Sequence, residues 1–488
     1  MANTARFEIG RDITSQRVEG RTVRLLLMGD FSGRANRVAA NTVPLARRPV
    51  VGVDIDSFDE AMKQLAPQVL TTLEDGSEVN WRPQAIADLH PDRIVETDVP
   101  LALLMARRQR LLDPASFAGA ATEMVVAATD PAPAASVAIG STGAAPGRED
   151  DQSTLSRLLG SSATAAASPS VAAQRAVDAL VREVTADVQR PPALPGQAGY
   201  LAAVEELATQ RMRRLLHLPA VKSLEAAWRG LHMLVTRLEL GEELQLKLLD
   251  VTIEELRADA AEANGDPSRS SLARRLRLLA DEAADATADG TASWLLAGGL
   301  YSFGTRDLAV LAAIGAATRD AGMAFVAGAD GSLAGTCAEP SQWQAPPAPD
   351  LARWQEMRDS GIAAAIGLVA PRFLLRLPYG RATDPIDSFP FEELAGAEPS
   401  PHELLWGDAA VAAALVRAGA AGEDALYIGG LPALAFTVDG ERRLQPCAEF
   451  LMGESVAGQL MEHGLMPLVG YAHRNGVRLA GWRSIRRA

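Results

Sequence analysis

Two stretches rich in Ala, Pro, Gly and Ser divide this chain and limit what it can fold into. The first runs from Asp130 to Gly147 and the second from Ser161 to Ser170. Such stretches bury too little apolar surface to offset the entropy lost on ordering, so we interpret residues 130–170 as a flexible linker. The linker separates two longer regions, residues 1–129 and 171–488, each long enough to form a packed core.

A short amphipathic segment interrupts this linker at Asp151–Leu159. As a helix, the segment would place Leu155, Leu158 and Leu159 on one face. Two interpretations remain open. The helix docks on its own domain, or it is a peptide presented to a groove of a partner protein.

Both regions alternate apolar runs of strand length with helical periodicity. Ser57 is expected to cap the helix that runs to Leu65. We predict strands at Val23–Met28, Gln245–Val251, Ser293–Gly299 and Ala324–Ala327, and helices at Val99–Leu112, Val221–Arg237 and Asp307–Ala321. This rhythm predicts an α/β (mixed α+β) fold with parallel strand pairing.

Composition excludes several classes of protein. The net charge of -14 argues against a nucleic-acid binder with a basic surface. No apolar run reaches the roughly 20 residues that span a bilayer, and Glu8 and Asp12 lie where a signal peptide would be apolar. Cys337 and Cys447 form no Cys-x-x-Cys motif. We therefore expect a cytoplasmic protein with no membrane insertion.

The catalytic and ligand-binding motifs that we tested are incomplete. No lysine follows a glycine as a phosphate-binding Walker A loop requires. His402-Glu403 begins a zinc-binding helix motif, but Trp406 occupies the second ligand position. Ser32 lies in Gly-Asp-Phe-Ser-Gly, which has the wrong spacing for a nucleophile elbow. We expect no catalytic residue, cofactor site or metal site, and no enzyme.

Distinctive sequence blocks occur in order through the second region. They are Arg213–Pro219, Leu224–Leu231, Leu248–Val251, Pro371–Gly380, Phe389–Glu393, Leu405–Gly407 and Leu465–Val469. This series resembles the large contractile-sheath subunit of the type VI secretion system.

The first region carries a different series of blocks: Leu26–Gly33, Val53–Glu60 and Ile86–Asp92, followed by the helix at Leu101–Leu112. These blocks resemble the small sheath subunit of the same system. The chain is thus similar to a natural fusion of the two subunits, and the resemblance implies a contractile tail-sheath-like fold.

The resemblance implies a structural protomer whose role is mechanical. Sheath subunits of this family assemble helically around an inner tube and drive it by contraction to deliver effectors. The implied partners are further copies of the chain, the inner-tube protein, the baseplate and an AAA+ recycling unfoldase. The unfoldase grips a helix near the large subunit's N-terminus, whose nearest equivalent here contains Leu155, Leu158 and Leu159.

One departure from the family pattern supports an alternative. Large subunits continue beyond the block at Leu465–Val469 into a helical segment and a terminal strand, whereas this chain ends at Ala488. Without that strand, the chain would be a sheath-derived capping, nucleating or baseplate-docking component that does not polymerise.

The block at Pro371–Gly380 also contains two candidate contact residues. Arg372 and Arg376 alternate with apolar side chains in a strand-like pattern. Two interpretations remain open for these arginines: a solvated face, or a contact with a neighbouring subunit in the sheath lattice.

Overall fold

A computed structural model describes residues 22–36, 43–73, 75–129, 196–286, 293–339, 341–419 and 426–487. The linker at 130–170 lies outside the described residues, and so does its amphipathic segment Asp151–Leu159. The predictions for that segment therefore stay predictions.

The described helices are α1 (Phe58–Leu65), α2 (Pro91–Thr97), α3 (Val99–Leu112), α4 (Phe117–Thr129), α5 (Gln197–His217), α6 (Pro219–Arg237), α7 (Ile253–Ala263), α8 (Ser271–Asp285), α9 (Leu308–Asp320), α10 (Gly331–Ala334), α11 (Ala348–Asp359), α12 (Ala409–Ala418) and α13 (Glu454–His463). The predicted helix at Val99–Leu112 is confirmed with those bounds, and those at Val221–Arg237 and Asp307–Ala321 are confirmed within two residues.

The described strands are β1 (Val23–Gly29), β2 (Val50–Val53), β3 (Val69–Thr72), β4 (Glu78–Trp81), β5 (Leu244–Asp250), β6 (Ser293–Phe303), β7 (Phe325–Ala329), β8 (Thr336–Glu339), β9 (Gln342–Gln344), β10 (Ile366–Ala370), β11 (Phe373–Leu374), β12 (Trp406–Gly407), β13 (Tyr427–Gly429), β14 (Leu434–Val438), β15 (Glu441–Gln445), β16 (Met466–Gly470) and β17 (Gly476–Leu479). The four predicted strands are present, and the mixed α/β class is confirmed.

Nine strands form one central sheet in the order β13-β17-β16-β10-β7-β6-β1-β5-β2. The middle of the sheet, from β16 to β5, is parallel, as predicted. Strands β2, β17 and β13 pair antiparallel with their neighbours. Helices cover both faces, as parallel sheets require.

Strand β1 from the first region lies between β5 and β6 from the second. It is parallel to both, with Leu27 opposite Leu248 on one side and Gly298 on the other. Strand β2, also from the first region, pairs with the outer edge of β5. The two sequence regions therefore interleave within a single sheet.

Burial explains why β1 takes an interior position. Leu25, Leu26, Leu27 and Met28 have no solvent exposure. Leu25 and Leu27 belong to the hydrophobic core on one face, and Leu26 and Met28 to the core on the other. An unbroken apolar run is the sequence signature of a strand covered on both faces.

The chain divides into two compact units. One unit comprises Met1–Met105 and Glu205–Ala488 and contains the central sheet. The other is Ala106–Val204, within which Arg110 pairs with Glu123 at 2.6 Å and the Gln197 side chain donates to the Leu111 carbonyl oxygen at 2.7 Å.

Candidate functional site

The carboxyl ends of β1 and β5 meet at the buried side chain of Asp250. Its Oδ1 accepts hydrogen bonds from the backbone amides of Phe31 at 2.9 Å and Ser32 at 3.0 Å. Its Oδ2 accepts from the Ser32 hydroxyl at 2.8 Å. Parallel neighbours end at the same edge of a sheet, which is why the turn after β1 reaches the last residue of β5. One carboxylate thereby fixes the turn of the first region onto the second.

Arg48 adds a second contact between the regions. Its Nη1 donates to the Asp250 carbonyl oxygen at 3.0 Å, and its guanidinium binds both Glu255 oxygens at 2.7 and 2.8 Å. Burial alone would raise the pKa of Glu255, but the hydrogen bonds from Arg48 and from the Thr252 amide lower it. We call Phe31, Ser32 and Arg48, with Asp250 and Glu255, the inter-region seam.

Aromatic packing between the two regions supports the seam. The fully buried Trp228 on α6 donates from Nε1 to the Phe31 carbonyl oxygen at 2.8 Å. The Phe31 and Trp228 rings meet edge to face, with centroids 5.8 Å apart. Gly33 ends the turn at φ +70°, and a Cβ there would lie 2.3 Å from the Gln68 carbonyl oxygen, so only glycine fits.

A further inter-region contact is a buried ion pair at the start of α3. Arg211 on α5 donates to Asp98 from Nε at 2.8 Å and from Nη2 at 2.7 Å. The hydrogen bonds to Asp98 raise the pKa of Arg211. Such a fork-shaped pair fixes geometry as well as charge.

Arg376 lies at the centre of a second buried polar cluster. It binds Glu225 on α6 at 2.8 Å through Nε and Glu393 at 2.7 and 3.0 Å through its two Nη atoms. Arg229 binds Glu225 at 2.7 Å and the Tyr379 hydroxyl at 2.8 Å. We call Glu225, Arg229, Arg376, Tyr379 and Glu393 the Arg376 cluster.

The charges in this cluster balance one another. Burial would raise the pKa of Glu393, but Arg376 and the hydrogen bonds to this carboxylate hold it at about 2. Burial would lower the pKa of Arg376, but Glu225 and Glu393 raise it well above its ordinary value. Burial raises the pKa of Tyr379 to about 12, so the phenol stays neutral. The cluster is therefore a fixed structural network at neutral pH.

The first region also reaches the segment that contains Arg376. The Asp92 carboxylate on α2 accepts hydrogen bonds from the backbone amide of Ser388 at 3.0 Å and from its hydroxyl at 2.5 Å. His90 meets Tyr379 edge to face, with ring centroids 5.1 Å apart. The segment between β11 and β12 is thus held by both regions.

Arg372 and Arg376 lie in very different surroundings. Arg376 is 8% exposed and makes its ion pairs inside the chain, so the solvated-face interpretation is wrong for it. Arg372 is half-exposed and binds Glu449 at 2.6 and 3.0 Å. The predicted contact with a neighbouring subunit stays a prediction, and Arg372 is the accessible member of the pair.

The sequence blocks contained the partners in these clusters but not their pairing. Asp250 lies in the block at Leu248–Val251, and Glu225 and Glu393 lie in two further blocks. Their contacts join residues up to 219 positions apart in the sequence. No local pattern signals such a pairing.

The described residues offer no group of three or more His, Cys, Asp or Glu side chains placed to hold a metal ion. Of the helices described above, none has the length and apolar character needed to cross a membrane. The geometry is that of a structural junction between two sequence regions.

Comparison with known proteins identifies both regions. Residues 199–486 match the VipB family, described as EvpB/VC_A0108, tail sheath N-terminal domain. That match covers more than half of the chain. The chain belongs to the VipB tail sheath family. Residues 15–124 match the family described as type VI secretion system, VipA, VC_A0107 or Hcp2. The chain is therefore a fusion of a VipA-like region and a VipB-like region, as the resemblance implied.

A curated relative of the VipB-like region is the type VI secretion system sheath protein TssC1 of Pseudomonas aeruginosa. It is 27% identical over 315 residues, which cover 59% of this chain and 61% of the relative. The chain thus spans about three fifths of the length of that relative. In these terms, Phe31, Ser32 and Arg48 of the seam are VipA-like, and Asp250 and Glu255 are VipB-like.

Proposed function

We propose that the chain is a structural protomer of the contractile sheath of a type VI secretion system. In this proposal, copies of the chain assemble helically around an inner tube in the cytoplasm and drive the tube by contraction. The baseplate and an AAA+ recycling unfoldase are the further partners. The role is mechanical, and the chain is not an enzyme.

The position of β1 carries the proposal. A VipA-like strand lies between two VipB-like strands, with four consecutive side chains fully buried. At roughly 25 cal/mol per Å² of apolar surface, a strand buried on both faces is a large part of a folding core. The two regions therefore form one mechanical unit, which suits a protomer that must transmit force without coming apart.

Covalent fusion adds to this arrangement. A short covalent tether holds two binding partners at an effective concentration in about the millimolar range. It also fixes their ratio at one to one. A fused protomer therefore adds both regions to a growing lattice in a single step.

Electron microscopy of the purified full-length chain tests the proposal. We expect striated tubes, formed alone or with the inner-tube protein present. A chain that gives only monomers or small rings, even with the inner-tube protein, would contradict assembly and favour the capping, nucleating or docking role. Assays with common ester and nucleotide substrates test the mechanical assignment, since turnover above background would contradict it.

Two sites within this function are also proposals. We assign Leu155, Leu158 and Leu159 to the unfoldase contact because they would share one face of a helix. Replacing all three with Ala should abolish pull-down of the unfoldase, and unchanged binding would refute the assignment. We assign Arg372 to a contact between subunits because its guanidinium is half-exposed; Arg376, buried in its own cluster, is the less suited of the two.

A further inference from the structure

A cleft of about 610 Å³ lies between α11, α13 and the segment that follows β17. Its lining includes Trp343, Gln355, Arg358, Gln459, Arg483 and Arg487. We call this the arginine cleft. It is separate in sequence and in lining from the inter-region seam and the Arg376 cluster.

Arg358 is a buried residue in the lining of the cleft. The residue is only 7% exposed, and its Nε donates to the Ile485 carbonyl oxygen at 2.8 Å. Within the described part of the chain, its Nη1 and Nη2 atoms make no hydrogen bond or ion pair. Neither atom is among the fully buried unpaired nitrogens of the described residues, so both keep some contact with solvent, and Arg358 is one of the residues that line the cleft. A buried guanidinium normally has all its donors occupied, so this free end is a place for an acceptor.

Two neighbouring arginines, Arg483 and Arg487, carry the same charge as Arg358. Arg483 donates to the carbonyl oxygens of Met461, Ser484 and Arg486, which fixes a second guanidinium beside the cleft. Burial lowers the pKa of Arg358, and the charges of Arg483 and Arg487 lower it further. The charge of Asp359 acts in the other direction and raises the pKa of Arg358. The Asp359 carboxylate also lies 3.7 Å from the Arg487 guanidinium. Glu462 also lines the cleft.

Amide and aromatic groups complete the walls. Gln355 and Gln459 supply neutral amide donors. Trp343 donates to the Ala334 carbonyl oxygen at 2.8 Å and packs against the buried His463, whose Nε2 lies 3.0 Å from the Leu333 carbonyl oxygen. These contacts hold Trp343 and His463 in place in the lining of the cleft.

We propose that the arginine cleft binds an oxyanion group, the phosphoryl group or the carboxylate of a small molecule, through the free end of Arg358. A planar guanidinium with two parallel donors matches either group in a bidentate geometry. Arg487 completes the positive wall from the solvent side. The inference goes beyond sheath assembly and does not depend on it.

Calorimetric titration of the full-length chain tests the site, with inorganic phosphate as one probe and glutarate as the other. We expect binding with one site per chain at constant ionic strength. Replacing Arg358 with Met should weaken binding about tenfold or more, because a charge-assisted bidentate contact is lost. Binding of phosphate alone identifies a phosphoryl ligand, and binding of glutarate alone identifies a carboxylate ligand.

Two further variants keep the test decisive. Arg487→Gln changes an exposed side chain, so it should fold, and it should weaken binding about threefold. Arg353→Met lies on the same helix, α11, and pairs with Asp350 outside the cleft, so it should bind like the unchanged protein. No binding of either probe, or equal affinities for the Arg358→Met and Arg353→Met variants, would overturn the proposal.

Discussion

Arg376 and Arg358 are buried to nearly the same extent, at 8% and 7% exposed, yet their surroundings are opposite. Arg376 lies between two glutamates, which raise its pKa. Arg358 lies near two further arginines, and burial together with those charges lowers its pKa. Burial alone therefore does not show that a charged side chain has a structural role, because the role depends on the charges around it. A balanced cluster stabilises the fold, and an unbalanced one leaves a place for a ligand.

We expect the largest change in stability at the Arg376 cluster, whose charges balance. Replacing Arg376 with Met leaves Glu225 and Glu393 buried without their main counter-charge. Removing one partner of a buried ion pair typically costs about 3–5 kcal/mol, so we expect the free energy of unfolding to fall by that amount. Urea denaturation followed by circular dichroism measures it.

Arg381 provides the matched control for this substitution. It lies five residues further along the chain and its side chain is exposed. Arg381→Met should change the free energy of unfolding by less than about 0.5 kcal/mol. A similar small change for Arg376→Met would show that the cluster does not stabilise the fold.

The pH dependence of stability tests the same cluster through its carboxylate Glu393. The pKa of Glu393 is about 2 in the folded protein, compared with an ordinary value of 4.5. A lowered folded pKa contributes stability that is fully present above pH 4.5 and is lost as the pH falls toward 2. The difference corresponds to about 3 kcal/mol. We expect the Glu393→Gln variant to lose less of its free energy of unfolding than the unchanged protein when the pH falls from 4.5 to 2.

Glu392 is the neighbouring control for that measurement. Its exposed carboxylate accepts a hydrogen bond from the Arg381 amide at 3.0 Å. Glu392→Gln leaves the Arg376–Glu393 contacts in place, so it should lose as much stability on acidification as the unchanged protein. If Glu393→Gln loses as much too, the Arg376 cluster is not the source of the acid sensitivity.

Elements that depend on local pattern were predictable from the sequence. The unbroken apolar run at Val23–Met28 predicted a buried strand, and β1 is one. The periodicity of Val99–Leu112 predicted a helix with those bounds. Ser57 does precede α1, but its hydroxyl binds Asp54 at 2.6 Å and makes no cap hydrogen bond. The helix boundary was thus correct and the predicted contact was not.

Long-range partners were not predictable, because nothing local encodes them. The sequence places β1 in the VipA-like region, but its neighbours β5 and β6 lie more than 200 residues further along the chain. The alternation of Arg372 and Arg376 with apolar residues is the same whether an arginine faces water or a glutamate. Only the folded chain distinguishes the buried Arg376 from the half-exposed Arg372.

We expect a smaller change in stability at Arg358 in the arginine cleft, where the charges do not balance. Replacing Arg358 with Met removes a buried charge whose neighbours repel it, at the cost of one hydrogen bond to Ile485. We expect the free energy of unfolding in phosphate-free buffer to stay within about 1 kcal/mol of its original value, or to rise. A loss similar to that of Arg376→Met would contradict the contrast between the two clusters.

The smallest effect is expected for Arg372, whose pair with Glu449 is half-exposed. Exposed ion pairs contribute about 0–1 kcal/mol, so a double-mutant cycle of Arg372→Gln and Glu449→Gln should give a coupling below about 1 kcal/mol that shrinks in high salt. A larger coupling that salt does not reduce would show that this pair is effectively buried. If Arg372→Gln leaves the stability of the isolated chain unchanged but prevents tube formation, the side chain acts between subunits. Arg376→Met should instead weaken both, because its contacts lie within the chain.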